Sequence, residues 1–288
     1  MTIERFISDA ELDHYRQAIG RRIVISDDMS PTVTSRFAMV GGAPVERTPL
    51  RHWAHFLSMP RRDEVDEDGH PIRGKFIPPI SLPRRMFAAG SVDFFSPLTA
   101  GAPAERASTI ENIEHKAGRS GELVFVSIAH EVMQSGVLCI RESQTLVYRS
   151  ASKASGPTGG DNAGARVSHG FDVAASFTPT SVDLFRFSSV TLNSHRIHYD
   201  QAYAREVEGY PGLVVHAPYI AVLLSNLAQQ ELGEPLKSFT FRAKSPLFVD
   251  RRIELAAKLK GRVIELAAID PVGVIAVEAS ARGRENGR

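Results

Sequence analysis

The feature that most constrains the fold is a pair of strand-rich segments of similar length, separated by a stretch poor in large apolar residues. Between Ser150 and Val167, small, glycine and charged residues replace the apolar alternation found on both sides. A segment of this composition buries too little apolar surface to order itself, which predicts a linker. We therefore expect residues 1–150 and 168–288 to form two units joined by residues 151–167.

In the N-terminal unit, alternating apolar and polar residues predict a meander of antiparallel strands. Strands are expected at Arg85–Phe94, Ala104–His115, Leu123–Met133 and Leu138–Arg149. The glycine-containing residues 117–121 predict a hairpin turn between the second and third of them. The unit is thus expected to present one antiparallel sheet.

The C-terminal unit combines one long apolar helix with a second meander. Apolar residues at helical spacing run from Tyr219 to Leu232 and end at Gly233, a residue type that commonly closes helices. Strands are expected at Val182–Val190, Lys237–Ala243, Ile253–Lys260, Val263–Asp270 and Val274–Arg282. The pattern predicts an α+β fold with a sheet wrapped around a central helix. The similar meanders of the two units indicate a degenerate internal repeat.

Composition excludes several classes of function. Apolar residues make up 43% of the chain, enough for a core, and the formal net charge of +1 gives no argument for binding nucleic acid or an anionic membrane. Cys139 is the single cysteine and is expected to pack in a strand, so a reducing, cytoplasmic location is the expectation. No signal peptide, spanning segment, phosphate-binding loop, dinucleotide fingerprint or zinc-ligand spacing is present in the sequence.

The segments Asn193–Asp200 and Gly212–Pro218 carry the clearest functional signal. The first collects polar, titratable side chains, and the second leads through a strand into the start of the long helix. Free backbone N–H groups and the helix dipole favour negative charge at such a start. The order of these features is typical of an active site at a helix N-terminus.

These residues resemble a known family. Residues 196–200 and 208–216 are similar to the hydratase segment of MaoC-like double hot-dog proteins, and more narrowly to the group of mesaconyl-C4-CoA (3-methylfumaryl-CoA) and itaconyl-CoA hydratases. Residues 84–90, 118–126 and 141–149 resemble the first hot dog of that group. The resemblance implies two antiparallel sheets, each wrapped around a central helix, with a non-catalytic N-terminal hot dog that supplies walls of the acyl pocket.

The resemblance also implies the reaction. It is the reversible hydration of a branched C5 dicarboxylic enoyl-CoA, either mesaconyl-C4-CoA or itaconyl-CoA, to citramalyl-CoA, with the CoA thioester as substrate and no cofactor. A homodimer or higher homo-oligomer is expected. Two alternatives remain open: a (3R)-hydroxyacyl-thioester dehydratase of fatty acid metabolism, and a catalytically silent hot dog that binds acyl-CoA.

Within the motif, His198 is the expected acid/base because imidazole gains and loses protons near neutral pH. The family motif has an Asp five residues before this histidine and an Asn three before it, where this chain has Asn193 and His195. An amide cannot act as a base, so Asn193 is expected to position water or the thioester. His198 then acts alone, or His195 or Asp200 assists it. Asp200 is expected mainly to cap a helical turn.

The thioester oxygen is expected to accept a hydrogen bond from the backbone N–H of Ala217, the position that the resemblance gives it. His216 is expected to be a buried histidine with a backbone partner rather than a catalytic group, although it belongs with the substrate-binding candidates. His195 is open between a site residue and a structural one. With His198 it forms an i, i+3 pair that could hold a metal ion, but the sequence indicates no third ligand, so no metal site is predicted.

Arginines are the side chains best suited to phosphates and to a free carboxylate. The candidates are Arg84, Arg85, Arg196 and Arg242, with Arg196 preferred for the carboxylate, and Lys244 and Lys153 are considered for the phosphates of CoA. The charged stretch Arg61–Asp68 is expected to be exposed. Trp53, with Phe56 and Leu57, is expected in the core or in the wall of the acyl pocket.

Overall fold

The computed structural model describes residues 6–118, 121–150 and 170–284. Its α-helices are α1 (Asp9–Arg16), α2 (Pro31–Val40), α3 (Ser181–Thr191) and α4 (Ala217–Leu232). Its strands are β1 (Arg22–Asp27), β2 (Arg84–Phe94), β3 (Ala104–Gly118), β4 (Gly121–Gln134), β5 (Val137–Arg149), β6 (Asp172–Phe177), β7 (Leu236–Ala243), β8 (Ile253–Lys260), β9 (Val263–Ile269) and β10 (Ile275–Gly283).

The strands form one continuous antiparallel sheet in the order β1-β3-β4-β5-β2-β7-β10-β9-β8-β6. Strands β2 and β7 join the two halves of the chain, with Gly90 opposite Phe241. A Cβ at Gly90 would lie 2.7 Å from the Phe241 ring, so the ring packs where only glycine leaves room. The two sheets expected from the sequence are therefore two halves of one sheet.

Helix α4 is the central helix of the C-terminal half. Pro218 fits its first turn, and Gly233 ends it with a φ of 67°. Its residues Ile220, Leu224 and Ala228 are fully buried, as their i, i+4, i+8 spacing predicts for one apolar face. The helix packs against strands β7 to β10, and against β2 of the other half. This is the arrangement that the sequence predicted for residues 219–232.

In the N-terminal half, the described residues show short helices where the sequence led us to expect a central helix. The 3₁₀ helix Pro49–Ala54 packs against α2 and α4. Its Trp53 contacts the ring of Phe87 on β2. A separate apolar core lies beneath α1, where Leu12 and Tyr15 are buried with residues of β3, β4 and β5. The N-terminal half thus leaves room between its sheet and α4.

Most predicted strands agree with the structure within a few residues, and the hairpin of residues 117–121 is confirmed by pairing of Gly118 with Gly121. The strand predicted at Val182–Val190 is wrong, because these residues lie in helix α3. Thr180 and Asp183 form a capping box at its start, and Leu184 and Phe187 are buried at helical spacing. Because the same short segment also fits the alternating pattern of a strand, the capping box and the helical spacing were not recognised in the sequence.

The structure tests only some of the remaining sequence predictions. Cys139 is buried and free on β5, as expected. Apart from Ser150, the predicted linker lies outside the described residues, as does Lys153. Over the described ranges, no helix is long and apolar enough to cross a membrane. The expected oligomer stays a prediction.

Candidate active site

A cavity of about 500 Å³ lies between α4 and the N-terminal half of the sheet. Both halves of the chain line it, and the N-terminal half contributes Trp53 and Phe87 among others. The predicted site residues that border it are Arg85, Asn193, His195, His198, His216 and Ala217. The fold thus brings six of the nine named candidates to one space.

His198 ends a 3₁₀ turn that follows α3, and this turn is tied to the strand-like segment before α4. The Val214 N–H donates to the Ile197 carbonyl at 3.0 Å, and His198 Nδ1 lies 2.7 Å from the Val214 carbonyl oxygen. Because a carbonyl only accepts, Nδ1 carries the proton and Nε2 keeps its lone pair. Burial lowers the pKa of His198 to about 4, against the opposing effect of the Val214 carbonyl. At neutral pH His198 is an uncharged base.

Asn193 follows Leu192, the residue that caps the end of α3 with a φ of 49°. Its Oδ1 accepts a hydrogen bond from the His195 N–H at 3.1 Å. Such a side-chain turn holds His195 and the following residues against the cavity. No described residue accepts a hydrogen bond from its Nδ2 group, and Asn193 borders the cavity. Its positioning role stays a prediction.

His216 precedes the first residue of α4 and stacks on His198, with 3.5 Å between ring centroids. Its Nε2 shares a hydrogen bond of 2.9 Å with the Ser188 hydroxyl, and burial lowers its pKa well below the ordinary value. The expected backbone partner is wrong, because a hydroxyl of α3 takes that place. Ala217 begins α4 beside it, so its N–H has no partner within the helix.

His195 is buried and contacts two other imidazoles. Its ring centroid lies 5.5 Å from that of His198 and 4.2 Å from that of His70, a residue of the N-terminal half. Burial lowers the pKa of His195 to about 2, and the neighbouring histidines act in the same direction. His195 is therefore uncharged, and it borders the cavity together with His198.

The structure adds Asp68 and His70, which the sequence analysis did not select. Asp68 was expected to be exposed with the charged stretch 61–68, but its side chain is only 13% exposed. Its Oδ1 accepts from the His70 N–H at 2.8 Å, and its Oδ2 lies 3.1 Å from His70 Nδ1. The signal that could have found them is the Asp-Gly-His sequence at residues 68–70, because Asp-Gly predicts a tight turn.

Asp68, His70 and His195 each place one possible metal-binding atom within 4.8 Å of the others. The fold thus supplies the further donor groups that the sequence did not indicate for a metal site. Both oxygens of Asp68, however, already accept hydrogen bonds from His70. We therefore describe Asp68 and His70 as a carboxylate–histidine pair rather than as metal ligands.

Of the predicted arginines, the structure brings Arg85 to the cavity and not Arg84, Arg196 or Arg242. Arg84 is buried and pairs with Glu208 at 3.0 Å. Arg196, the preferred candidate, pairs with Asp200 at 2.8 Å and does not border the cavity. Arg242 is exposed on β7, outside the cavity.

Asp200 also accepts from the Tyr203 N–H at 3.0 Å, so it caps a helical turn as expected. Lys244 pairs with Glu278 and does not border the cavity. The side chain of Arg85 has no hydrogen bond or ion pair within the described parts of the chain, and its charge helps to lower the pKa of both His70 and His195. An available guanidinium therefore lies near the imidazoles.

A second polar group lines the cavity from the N-terminal half, and the sequence analysis missed it. Glu142 is buried and accepts from Trp53 Nε1 at 3.0 Å, with His52 Nε2 2.9 Å away. Although burial raises the pKa of Glu142, these partners and His130 hold it below its ordinary value. Arg106 balances this charge. Residues of β3, β4 and β5 come together in this group only in the folded sheet, so no local sequence motif predicts it.

Comparison with known proteins agrees with this architecture. A family model described as hydroxyacyl-thioester dehydratase type 2 matches residues 50–249. The mesaconyl-C(4)-CoA hydratase of Chloroflexus aurantiacus is 40% identical over 270 residues, which cover 91% of this chain and 95% of that protein.

Two solved structures show the same fold at low sequence identity. A MaoC-like dehydratase from Phytophthora capsici has a TM-score of 0.66 at 14% identity, covering 96% of this chain and 99% of that one. A Mycobacterium tuberculosis protein described as having a double hotdog fold has a TM-score of 0.53 at 11% identity, covering 92% and 96%. The α+β double hot-dog fold expected from the sequence is confirmed.

Proposed function

We propose that this chain, which belongs to the hydroxyacyl-thioester dehydratase type 2 family, reversibly hydrates a branched C5 dicarboxylic enoyl-CoA to citramalyl-CoA. The substrate is mesaconyl-C4-CoA or itaconyl-CoA, which share that product. The family and the Chloroflexus relative make the chain a hydro-lyase that acts on CoA thioesters. The catalytically silent alternative is therefore not retained.

In the proposed hydration of mesaconyl-C4-CoA, whose double bond is conjugated with the thioester, His198 Nε2 removes a proton from water as the oxygen attacks the β-carbon. The Val214 carbonyl fixes the tautomer that leaves Nε2 free. Negative charge then develops on the thioester oxygen, where the Ala217 N–H at the start of α4 can donate a hydrogen bond. Asn193 Nδ2 supplies a further donor toward the same space. The reaction needs no redox cofactor.

The observation that carries the choice of a dicarboxylic substrate is the Arg85 guanidinium. It borders the cavity together with His198, and no described acid pairs with it. Its side chain is only partly exposed at the cavity wall, so a substrate carboxylate there would meet a cation that no described acid already neutralises, and a guanidinium matches a carboxylate geometrically. The second guanidinium of the cavity, Arg106, already interacts with Glu142 and Asp27. Arg85 is therefore the partner proposed for the free carboxylate of the acyl group.

The test is mass spectrometry of the purified protein with citramalyl-CoA, crotonyl-CoA and a long-chain enoyl-CoA in heavy-oxygen water. Loss of water from citramalyl-CoA, with little heavy-oxygen incorporation into the other two, would support the proposal. Action on the long chain alone would refute it in favour of a (3R)-hydroxyacyl-thioester dehydratase. That function is the second candidate because the family model carries that description.

Replacing Arg85 separates recognition of the carboxylate from the chemistry. Arg85→Gln should lower kcat/KM for the dicarboxylic substrate by roughly 10- to 100-fold, since a hydrogen bond to a charged group contributes about 1.5–3 kcal/mol. The much slower turnover expected for crotonyl-CoA, which lacks the carboxylate, should change little. Arg242→Gln is the matched control, because that arginine is exposed on β7 outside the cavity. Equal losses on both substrates would contradict the assignment.

A further inference from the structure

The loop that carries Asp68 and His70 is a closed turn. Val65 and Pro71 form an antiparallel bridge at its base. Inside it, the Asp66 N–H donates to the His70 carbonyl at 2.8 Å, and the Gly69 N–H donates to the Asp66 carbonyl at 2.9 Å. These bonds fix the direction in which the loop presents its side chains. We call residues 65–71 the histidine loop.

The histidine loop is docked on the hydratase motif of the other half. The Arg196 N–H donates to the Asp68 carbonyl at 2.9 Å, and the Ser194 hydroxyl donates to the Gly69 carbonyl at 2.5 Å. Gly69 has a φ of 91°, and a Cβ there would lie 1.8 Å from the Ser194 carbonyl oxygen. Only glycine permits this approach. The two halves of the chain are therefore held together at the reacting end of the cavity.

His70 differs from the other imidazoles at this end because it alone is hydrogen-bonded to a carboxylate. The two oxygens of Asp68 engage the N–H and the ring Nδ1 of His70. An ionised carboxylate only accepts, so Nδ1 is protonated and Nε2 is the reactive nitrogen. His198 donates to a neutral carbonyl, and His195 has no side-chain hydrogen bond among the described residues. An added proton is therefore best accommodated on His70.

Charged groups face His70 from several elements. Asp68 favours the protonated ring, whereas Arg85 on β2 and Arg73 oppose it, and burial lowers the pKa of His70 overall. The carboxyl of Asp68 stays ionised despite burial, because the His70 ring and N–H lower its pKa. A substrate carboxylate on Arg85 would reduce one of the two opposing effects. The pair is thus poised to carry a proton when substrate is bound.

The motif has lost its own second acid/base group. Asn193 stands at the position of the family's Asp, and its Oδ1 is occupied by the His195 N–H. His70, His195 and His198 border the same cavity. We propose that the Asp68–His70 pair, supplied by the N-terminal half, is the second acid/base group of the hydration and replaces the missing motif acid. This inference rests on the proposed function and assigns a catalytic role to a half that was expected to supply only walls.

The proton balance assigns one step to each histidine. As the water oxygen bonds to the β-carbon of mesaconyl-C4-CoA, His198 Nε2 takes one water proton, and the π electrons move toward the α-carbon and the thioester oxygen. In the proposed cycle, binding of the substrate carboxylate at Arg85 is accompanied by uptake of one solvent proton on His70 Nε2, so the pair enters the reaction as an imidazolium on Asp68. The α-carbon then takes that Nε2 proton, which leaves neutral His70 with Nδ1–H on Asp68. Exchange with solvent removes the proton from His198 and restores that of His70. The dehydration runs through the same steps in reverse.

The test uses His70→Asn in the full chain, because an asparagine amide can still donate to Asp68 but lacks Nε2. We expect kcat to fall by about 10²- to 10⁴-fold, the range typical of a general acid or base, while KM changes little. The alkaline limb of the hydration pH profile, where the acid loses its proton, should disappear in the variant. Asp68→Asn should retain more activity but shift that limb to lower pH. Imidazole added to His70→Ala should restore part of kcat.

His115→Gln is the matched control. His115 Nε2 pairs with Glu122 on the same half, away from the cavity, and a glutamine amide can keep that contact. This variant should retain wild-type kinetics. Circular dichroism and thermal unfolding of each variant check that the fold is kept, and the isosteric Asp68→Asn gives an independent result if His70→Asn does not fold.

Several outcomes would overturn the inference. If the wild-type protein acts on citramalyl-CoA and His70→Asn has the same kcat, the acid/base role of the pair is refuted and the proposed function is kept. An unchanged pH profile with lower kcat would reduce the pair to a structural role. Stoichiometric zinc in the purified wild type, absent from His70→Asn, would make the residues metal ligands instead. If the wild type acts only on another enoyl-CoA, the proposed function fails and the same variants test the pair on that substrate.

Discussion

Acid should destabilise the fold through the buried histidines, and His198 allows the effect to be calculated. Its pKa of about 4 in the folded protein lies below the value of about 6.5 expected for an unfolded chain. Between these values the unfolded chain binds a proton that the folded protein does not. The stabilising contribution is therefore complete above about pH 6.5 and is lost as the pH falls toward about 4.

The expected magnitude follows from this difference. Each pH unit below about 6.5 costs about 1.4 kcal/mol until the folded protein also begins to take up the proton. Lowering the pH from about 7 to about 4.5 should thus cost about 2 kcal/mol through His198 alone. His70, His195 and His216 should add to the loss, because burial lowers their pKa values too.

The variant His198→Asn isolates the contribution of His198 to the loss of stability in acid, since the asparagine amide can still donate to the Val214 carbonyl. Urea unfolding followed by fluorescence of Trp53, the only tryptophan, measures the free energy of unfolding at both pH values. The variant should lose about 2 kcal/mol less than wild type on acidification. His14→Asn, at an exposed position on α1, controls for the loss of an imidazole. Equal losses in wild type and His198→Asn would refute the reasoning.

Three further predictions concern the same region. Gly69→Ala should lower the free energy of unfolding by about 1–3 kcal/mol and reduce kcat, because the Cβ would meet the Ser194 carbonyl at a backbone angle unsuited to alanine; urea unfolding and turnover test both. Arg84→Met should cost about 3–5 kcal/mol in urea unfolding, because Glu208 would remain buried without its partner, and adding Glu208→Gln should recover part of the loss. The acid limb of kcat/KM should lie near pH 4 rather than near pH 6.5, as the pKa of His198 requires, and a pH profile with crotonyl-CoA or the dicarboxylic substrate checks it.

Signals that lie within a few neighbouring residues were sufficient to predict much of the molecule. The alternation of apolar and polar residues predicted the strands β2 to β5 and β7 to β10, and the apolar spacing of residues 219–232 predicted α4. The motif placed His198 and Asn193 ahead of the helix start, and the structure brings both to the cavity. Helix α3 was missed because its short apolar pattern fits alternation as well as helical spacing.

The tertiary structure decided which charged residues face the site. The sequence offers no way to rank Arg84, Arg85 and Arg196. Strand β2 buries Arg84 against Glu208 and places Arg85 at the cavity. Arg196 lies in the motif turn and pairs with Asp200.

Asp68 and His70 stand more than a hundred residues before the motif, in a stretch whose charge predicts exposure. Only the docking of the histidine loop on Ser194 and Arg196 brings them to the imidazoles. Local sequence determines backbone periodicity, because that depends on near neighbours. The partner of a charge depends on which distant segment packs beside it, and the closed fold alone determines that.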